Sequence, residues 1–321
     1  MSEKFELPSP MTMPRFSGIR SFMRLPYQQE IEKKDFVILG VPFDTSASYR
    51  SGARFGPEAI RRSSVLLRPA NVFHQIRPSD YITGVDGGDV MVIPGNTQQS
   101  HQNITAHVME WAKGGTVPIV LGGDHSISLP ELRALASVHG PLSLVHFDAH
   151  GDTWDEYWGE KYTHGTPFRR ALEEGVIDPS RSIQIGMRGT VYDPNDINEA
   201  RELGFEVITA DEIRVIGLDE TMKRVRQRVE NQKIFLTFDI DFLDPVYAPG
   251  TGTPEIAGFT SAEAQHMLRQ LAGLRFVGFD LVEVLPAFDP TEVTALTAAT
   301  IVFEFLSLLA VSKRSQSEKV V

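Results

Sequence analysis

The stretch LSLVHFDAHGD, residues 142–152, joins a buried-strand pattern to three side chains that bind metals. Its first six residues are mostly apolar on both faces, which is typical of a strand that is covered on both sides of a parallel sheet. Directly after them, Asp148, His150 and Asp152 occupy every second position. Side chains two residues apart lie on one face of an extended segment. The stretch therefore predicts that these three side chains converge at the end of a buried strand.

Strand-like runs of this kind recur along the chain and alternate with helical patterns. The strand-like runs are 36–43, 116–123, 142–148, 182–187, 205–210, 233–240 and 275–284, with a weaker one within 80–93. The helical patterns, with apolar residues three and four apart, are 56–67, 98–113, 129–138, 166–174, 194–203, 218–231, 261–272 and 291–311. Repeated strand–helix–strand order predicts a three-layer αβα fold, in which helices cover both faces of a mainly parallel, eight-stranded sheet.

These patterns predict one domain with two short extensions. Residues 1–34 are interpreted as an N-terminal arm that packs on the domain or on a neighbouring subunit, 35–311 as the single domain, and 312–321 as a fraying C-terminal tail. Thr260 and Asp193 are predicted helix N-caps.

The composition excludes several classes of function. The 321 residues carry a formal net charge of -11 and no Lys/Arg-rich run, which disfavours a nucleic-acid partner. The absence of cysteine excludes disulfides, thiolate catalysis and Cys-ligated zinc. The start, MSEKFELPSP, lacks a signal pattern, and we identify no apolar run of the roughly 18 residues that a membrane span needs. A cytoplasmic protein is expected.

Acidic and histidine residues follow four of the strand-like runs. They are Asp124 and His125; Asp148, His150 and Asp152; Asp239 and Asp241; and Asp280 and Glu283. Open α/β sheets bind ligands beyond the carboxyl ends of their strands. Carboxylates packed there repel one another, whereas a pair of divalent cations removes that cost and can hold a shared hydroxide. Imidazole and carboxylate without sulfur favour manganese, with zinc, iron, nickel and cobalt as alternatives.

Each of these residues alone also has an ordinary structural interpretation. A single Asp after a strand is most often a turn former or a helix cap, and a lone His is usually a satisfied polar residue. For the whole set, two D-x-[DH] patterns and G-G-D-H at successive strand ends, chance is a poor explanation.

Taken together, the motifs resemble those of the ureohydrolases, the arginase and agmatinase superfamily. The matching pieces are GGDH (122–125), DAHGD (148–152), THGTPFRR (163–170), TFDIDFLDPVYAPGTGTPEIAG (237–258), FDLVEVLPAFD (279–289) and GVPFDTSASYRSGARFGPEAIR (40–61). They cover most of the chain from about residue 36, and their order agrees with the family. The resemblance implies an arginase-like fold.

The resemblance also implies a site with two Mn²⁺ per chain. One ion would be held by His125, Asp148, Asp152 and Asp239, and the other by Asp148, His150, Asp239 and Asp241. His164 matches the family's proton-transfer histidine, and Glu283 matches the carboxylate that receives the guanidinium of the substrate. Asp241 is a second candidate proton carrier. Thr237 and Leu285 stand where the family commonly has Ser, and neither is an expected ligand.

The function that this resemblance implies is the hydrolysis of a small guanidino compound to urea and an amine. Agmatine or 4-guanidinobutanoate is the first expectation, with guanidinopropionase and proclavaminate-type amidinohydrolase as alternatives. A formiminoglutamate or acyl-amine hydrolase of the same fold is a rival, as is a metal-stabilised binding protein without turnover. His164 and Glu283 disfavour that last rival, because structural metal binding needs neither. A trimer or hexamer is expected, with the apolar arm as an interface element.

Three further sets of residues each have two possible structural interpretations. Ser46, Ser48 and Tyr49 are interpreted as ordinary turn residues, with the mouth of the pocket as the alternative. His146 is interpreted as a core residue, with a position behind the metal ligands as the alternative. The aromatic residues Tyr157, Trp158 and Tyr162 line a cleft or pack against a neighbour.

Overall fold

The computed structural model of the chain describes residues 8–9 and 11–318, and its centre is a parallel sheet of eight strands. The strands are β1 (Phe36–Gly40), β2 (Gly84–Asp89), β3 (Val117–Leu121), β4 (Ser143–Phe147), β5 (Ile183–Ile185), β6 (Glu206–Ile208), β7 (Lys233–Asp239) and β8 (Arg275–Val282). Their order across the sheet is β2-β1-β3-β8-β7-β4-β5-β6, and all seven pairings are parallel. All eight predicted strands are confirmed, including the weak one, which is β2.

Helices connect the strands along the described part of the chain. They are α1 (Gly56–Ser64), α2 (Thr97–Lys113), α3 (Ser128–His139), α4 (Pro167–Glu173), α5 (Asp196–Glu202), α6 (Ala210–Ile216), α7 (Leu218–Val229), α8 (Ser261–Arg269) and α9 (Val293–Glu318). The eight predicted helices are confirmed, whereas the short α6 was not predicted.

Two hydrophobic cores confirm the three layers. Phe36 and Ile38 of β1 belong to one core, and Val37 and Leu39 of the same strand belong to the other. This alternation follows from the two-residue period of a strand. The first core contains apolar residues of α1, α6, α7, α8 and α9, and the second contains those of α2, α3, α4 and α5. The two sets of helices therefore cover opposite faces of the sheet.

Two local expectations about helix starts are corrected. The apolar run 205–210 reads as one strand, but β6 ends at Ile208 because Thr209 and Glu212 form a capping box that starts α6. The predicted N-cap Asp193 is wrong, since its carboxylate accepts the Asn195 N–H (2.8 Å) in a turn that precedes α5.

The long helix α9 corrects two expectations about the end of the chain. By length and composition it could cross a membrane, with a mean hydropathy of 1.9 in its most apolar window, although no such run was expected. However, 72% of that window is buried inside the fold, as befits a core helix of the layer it shares with α1 and α8. The helix continues through Glu318, so residues 312–318 are helical rather than a frayed tail. Residues 319–321 lie outside the described part.

The N-terminal arm packs on its own domain over the residues that were expected to form an interface. Phe22, Met23 and Leu25 are all buried within the chain. The Phe22 N–H donates to Asp86 Oδ2 (2.7 Å), which ties the arm to β2. The arm residues expected at an interface were Phe16, Phe22, Met23 and Leu25, and among these four only Phe16, which is 80% exposed, is free to contact another subunit.

The N-cap of α8 gives a test of the local structure. Thr260 Oγ1 accepts the Glu263 N–H (3.1 Å), and Glu263 Oε2 accepts the Thr260 N–H (2.8 Å). Thr260→Ala should lower the free energy of unfolding by about 1 kcal/mol, because it leaves a helix N–H without its acceptor. Urea denaturation measures the change. Thr291→Ala, at an exposed position before α9, is the control, and equal stability of the two variants would contradict the prediction.

Candidate active site

The order of the central strands brings the predicted site residues together. β3, β8, β7 and β4 are neighbours in the sheet, and each carries acidic or histidine residues just beyond its carboxyl end. Because all four strands run in parallel, these ends lie on one edge of the sheet. The motifs that are far apart in sequence therefore form one cluster.

The first half of the cluster surrounds His125. Its Nδ1 atom lies 3.1 Å from Asp148 Oδ2, 2.9 Å from Asp152 Oδ2 and 3.2 Å from Asp239 Oδ2. These distances bring together all four residues expected to hold one ion. His125 Nδ1 is buried and makes no aligned hydrogen bond to any residue that the structure describes. A nitrogen facing three carboxylate oxygens without hydrogen bonds is the arrangement that a cation between them requires.

The second half of the cluster surrounds His150. Its Nδ1 atom lies 3.3 Å from Asp148 Oδ1 and 3.1 Å from Asp241 Oδ2. Asp148 thus presents one oxygen to each half, an arrangement that is compatible with its expected role as a bridging ligand. Asp239 presents Oδ2 to His125, while its Oδ1 accepts the Asp241 N–H (2.9 Å). Asp241 Oδ2 is buried, and it makes no aligned hydrogen bond within residues 8–9 and 11–318, although His150 Nδ1 lies close to it.

Two carboxylates of the cluster, Asp239 and Asp241, are disfavoured in their charged form. Burial raises the pKa of Asp239 well above its usual value, and the charges of Asp241 and Asp148 raise it further. Burial also raises the pKa of Asp241 to about 6. Buried carboxylates that repel one another need positive charge. Together with the unpartnered His125 Nδ1 and Asp241 Oδ2, this donor set of imidazole and carboxylate fits divalent cations of the manganese class.

His146 lies behind the bridging carboxylate rather than in a purely apolar core. Its Nε2 atom is 2.7 Å from Asp148 Oδ2, and its Nδ1 atom is 3.1 Å from Gln184 Nε2. Since the Gln184 amide donates to Nδ1, the ring carries its proton on Nε2 and donates it to Asp148. Sequence analysis missed Gln184. Its signal was a polar residue in the middle of the otherwise apolar strand β5.

Glu283 is held next to the cluster by an unusual backbone conformation. Its φ is 63°, in the left-handed region that costs a non-glycine residue about 1–3 kcal/mol. Its Oε1 atom accepts the His125 N–H (3.0 Å) and contacts His164 Nδ1 (3.1 Å). Its Oε2 atom is buried and has no partner among the described residues. One oxygen is thus used for positioning, and the other is left for a ligand.

His164 is held by Glu283 and by the loop that follows β1. Its backbone N–H donates to Ser46 O (3.1 Å), and its Nε2 atom lies 2.6 Å from Ser48 Oγ and 3.0 Å from Ser48 N. The same loop is anchored where the Ser46 N–H donates to Asp124 Oδ2 (2.9 Å). Ser48 and Tyr49 line the cavity at the site, as the alternative interpretation has it, whereas Ser46 lies in a turn and contacts His164 and Asp124 through its backbone.

A cavity of about 500 Å³ leads to this cluster from the surface. Its lining includes the candidate ligands His150, Asp152 and Asp239, the residues Ser48 and His164, the aromatic side chains Tyr49, Trp154, Tyr157 and Tyr192, and the charged side chains Arg50 and Glu255. Tyr157 thus lines the cleft, whereas Trp158 and Tyr162 line a neighbouring cavity. The volume suits a small elongated molecule.

Comparison with known proteins agrees with this architecture. The model of the arginase family matches residues 34–307. Guanidinopropionase of Pseudomonas aeruginosa is 46% identical over 301 residues, which cover 94% of this chain and 94% of that protein. The mitochondrial agmatinase of Gallus gallus is 46% identical over 302 residues, which cover 94% of this chain and 89% of that protein.

The solved structure of proclavaminate amidino hydrolase from Streptomyces clavuligerus superposes with a TM-score of 0.90 at 39% identity, covering 94% of this chain and 100% of that one. The family model matches most of the chain, the relatives match nearly its whole length, and an acidic–histidine cluster lies at the expected strand ends. The chain therefore belongs to the arginase family and is a ureohydrolase of its agmatinase-like branch, a hydrolase of amidine C–N bonds.

Proposed function

We propose that this enzyme hydrolyses a small guanidino compound to urea and an amine, with two manganese ions per chain, and that agmatine or 4-guanidinobutanoate is its substrate. The observation that carries the proposal is Glu283 Oε2, a buried and unpartnered carboxylate oxygen beside the ligand cluster. A guanidinium is the cation whose planar N–H groups suit such an acceptor.

The proposed ligands, Glu283 and His164 have different roles in the proposed reaction. The six ligands would hold two cations, which supply a hydroxide near neutral pH when bound. Glu283 orients the guanidinium through Oε2, since Oε1 already receives two donors. His164 lies on the other side of Glu283, where it can pass a proton to the departing nitrogen.

The far end of the substrate meets the mouth of the cavity. Arg50 and Glu255 both line it, so a carboxylate tail and an amine tail each find a group of opposite charge. Arg50 lies 4.6 Å from the ring centroid of Phe288, and its Nη1 donates to Thr251 O (3.3 Å), which holds the guanidinium in place. Guanidinopropionate and proclavaminate-type substrates remain the alternatives within this class, because they differ from the first two only in this tail.

Urea release from a panel of guanidino compounds, with manganese added, tests the proposal. The panel holds agmatine, 4-guanidinobutanoate, 3-guanidinopropionate and arginine. Formiminoglutamate and an acyl-amine represent the rival reactions. We expect urea from an amine- or acid-tailed compound; formamide or acetate as the main product would select a rival instead.

The metal proposal predicts unequal effects of ligand removal. Protein reloaded with excess manganese should hold about two ions per chain by elemental analysis. Asp148→Ala should lose both ions, because its two oxygens serve both halves of the cluster, whereas His150→Ala should keep about one. Asp211→Ala, whose side chain is 96% exposed, is the control. A reproducible value near zero in the unaltered protein would overturn the proposal.

The guanidinium assignment predicts a selective loss in Glu283→Gln. The amide oxygen should face the two donors at the Oε1 position, which leaves an NH₂ group facing the substrate N–H groups. Losing one charge-assisted hydrogen bond costs about 1.5–3 kcal/mol, or roughly tenfold to a few hundredfold in kcat/KM. Metal content should not change, because Glu283 is not a proposed ligand.

The exposed Glu292→Gln is the matched control for this variant. Activity of Glu283→Gln within about twofold of the unaltered enzyme would refute the guanidinium assignment. A loss of metal would make Glu283 a ligand instead.

The assembly proposed for this enzyme is a trimer or hexamer. Phe22, Met23 and Leu25 of the arm are buried in their own chain, so we propose that the interface uses other apolar side chains; Phe16 and the exposed aromatic residues Tyr49, Phe55 and Trp158 are the candidates. Light scattering at micromolar concentration should give the mass of at least three chains, and the mass of a single chain would contradict the prediction.

A further inference from the structure

We infer that Arg188 is a positioning residue for the proposed reaction. Its guanidinium joins the backbone of Asp241, a proposed metal ligand, to the wall loop, residues 253–256, along one side of the cavity. The kinetic part of this inference rests on the proposed function, whereas its structural part rests on the hydrogen bonds around the guanidinium. Arg188 lies beyond the carboxyl end of β5 and is not itself a proposed ligand.

Asp241 is held by Arg188 at its carbonyl group and, through Ala149, at its carboxylate. Arg188 Nη2 donates to Asp241 O (2.7 Å). The backbone N–H of Arg188 donates to Ala149 O (3.0 Å), and the Ala149 N–H donates to Asp241 Oδ1 (3.1 Å). These contacts form a closed ring of hydrogen bonds. The position of the Asp241 carboxylate, whose Oδ2 lies 3.1 Å from His150 Nδ1, therefore depends on the conformation of Arg188.

The guanidinium also binds the carbonyl groups at the end of the short helical turn Ile240–Phe242, which contains Asp241. Its Nη1 atom donates to Phe242 O (3.2 Å), and its Nη2 atom lies 3.3 Å from Leu243 O. Carbonyl groups at the end of a helical turn have no partner within it, and arginine side chains can satisfy them. A guanidinium carries several N–H donors in one plane, whereas an ammonium concentrates its donors on one atom. Arginine therefore suits a place where several carbonyl groups converge.

The wall loop depends on the same guanidinium. Arg188 Nη2 donates to Glu255 O (2.8 Å), and Arg188 Nε donates to Ile256 O (3.0 Å). Neither carbonyl oxygen accepts another hydrogen bond from the described part of the chain. Thr253, Pro254 and Glu255 line the cavity. Arg188 thus fixes the part of the wall that faces the tail of the substrate.

The charge of Arg188 is not used in an ion pair. Its acceptors in the described part of the chain are all backbone carbonyl oxygens, and its side chain is half-buried. Burial lowers the pKa of Arg188, against the charges of Asp241 and Asp148, which raise it. An arginine remains charged even so. Lysine at this position would keep the charge but lose the planar set of donors, and therefore separates the two contributions.

Arg228 provides a matched control, because it makes similar contacts away from the site. Its Nε atom donates to Ser182 O (3.1 Å), and its Nη2 atom donates to Pro179 O (2.9 Å) and Gly204 O (2.6 Å). These carbonyl groups precede β5 and β6, so they lie at the amino edge of the sheet, opposite the site. Arg228→Lys should lower the free energy of unfolding much as Arg188→Lys does, without an effect on the site.

Calorimetric titration of the metal-free, full-length protein with manganese tests the structural part and needs no substrate. In Arg188→Lys we expect one ion to bind about tenfold to a hundredfold more weakly and the other within about twofold of its original affinity, because residues behind a metal ligand have effects of that size. Arg188 makes no hydrogen bond to His125, Asp152 or Asp239, which explains why one ion is spared. Arg228→Lys should bind both ions normally. Unchanged affinities in Arg188→Lys, or the same loss in Arg228→Lys, would overturn this part.

Steady-state kinetics at saturating manganese test the kinetic part. On the best substrate, Arg188→Lys should raise KM about tenfold with kcat within about threefold, because the wall loop meets the tail and not the reacting carbon. Arg188→Gln, which keeps an NH₂ donor without the charge, should show the same change and replaces the first variant if that one does not fold. An unchanged KM in Arg188→Lys would assign any effect to charge alone and overturn the positioning role. Failure of both variants to fold, while Arg228→Lys folds, would assign Arg188 to stability alone.

The two measurements distinguish the failure of this inference from that of the proposed function. If the unaltered protein releases urea and binds manganese while Arg188→Lys behaves as Arg228→Lys does, only the role of Arg188 is lost. If the unaltered protein binds manganese but releases urea from no compound, the proposed function fails, and the titration still decides the structural part. If it binds no manganese, both fail.

Discussion

Mutual repulsion of buried carboxylates is the constraint on which the rest of this structure depends. Asp148, Asp152, Asp239 and Asp241 lie within one cluster of low exposure at adjacent strand ends. Such a group is stable only with positive charge among its oxygen atoms. His125 and His150 face these oxygens, yet the unpartnered atoms between them show that protein hydrogen bonds do not satisfy the cluster. The cluster is therefore a candidate site for cations, whose charge would offset this repulsion.

The irregular backbone beyond the strand ends directs the acidic side chains toward this cluster. Asp152 and Glu283 both adopt positive φ, 49° and 63°, in the left-handed region. Gly123 has a φ of 30°, and a Cβ there would lie 2.5 Å from Phe43 O, so no larger residue fits beside the loop after β1. In a regular strand, alternate side chains point away from the cluster. The positive φ values of Asp152 and Glu283 instead direct both carboxylates toward it. Such local strain is common at functional sites.

Further polar contacts hold Glu283 and His164, the groups proposed to act on the substrate. Glu283 joins the His125 backbone to the His164 ring, and Ser48 joins that ring to the loop after β1. Behind Asp148, His146 and Gln184 extend the same network into the sheet. The proposed ligands and His164 are thus parts of one hydrogen-bonded structure, so that a change at one of them alters the geometry of the others.

The sequence by itself determined the layers of the fold and the residue types of the site. Strand and helix periods are local, so eight strands and eight helices could be predicted from runs of a few residues, and the capping box of Thr260 could be read directly. The short helix α6 was not predicted, because the apolar run that forms β6 continues into its first residue. The start of α5 was misplaced because the competing acceptor interactions of Asp193 are not visible in a residue pattern.

Only the tertiary structure decided which strand ends meet and how the site is completed. The strand order β3-β8-β7-β4 places His125 beside Glu283, although 158 positions separate them in the chain. Ser48 reaches His164 across 116 positions, and Gln184 reaches His146 across 38. No local pattern carries such pairings, because they follow from chain crossovers and from the packing of whole layers. The spacing of the ligands was therefore a property of the sequence, whereas the partners that orient them are a property of the fold.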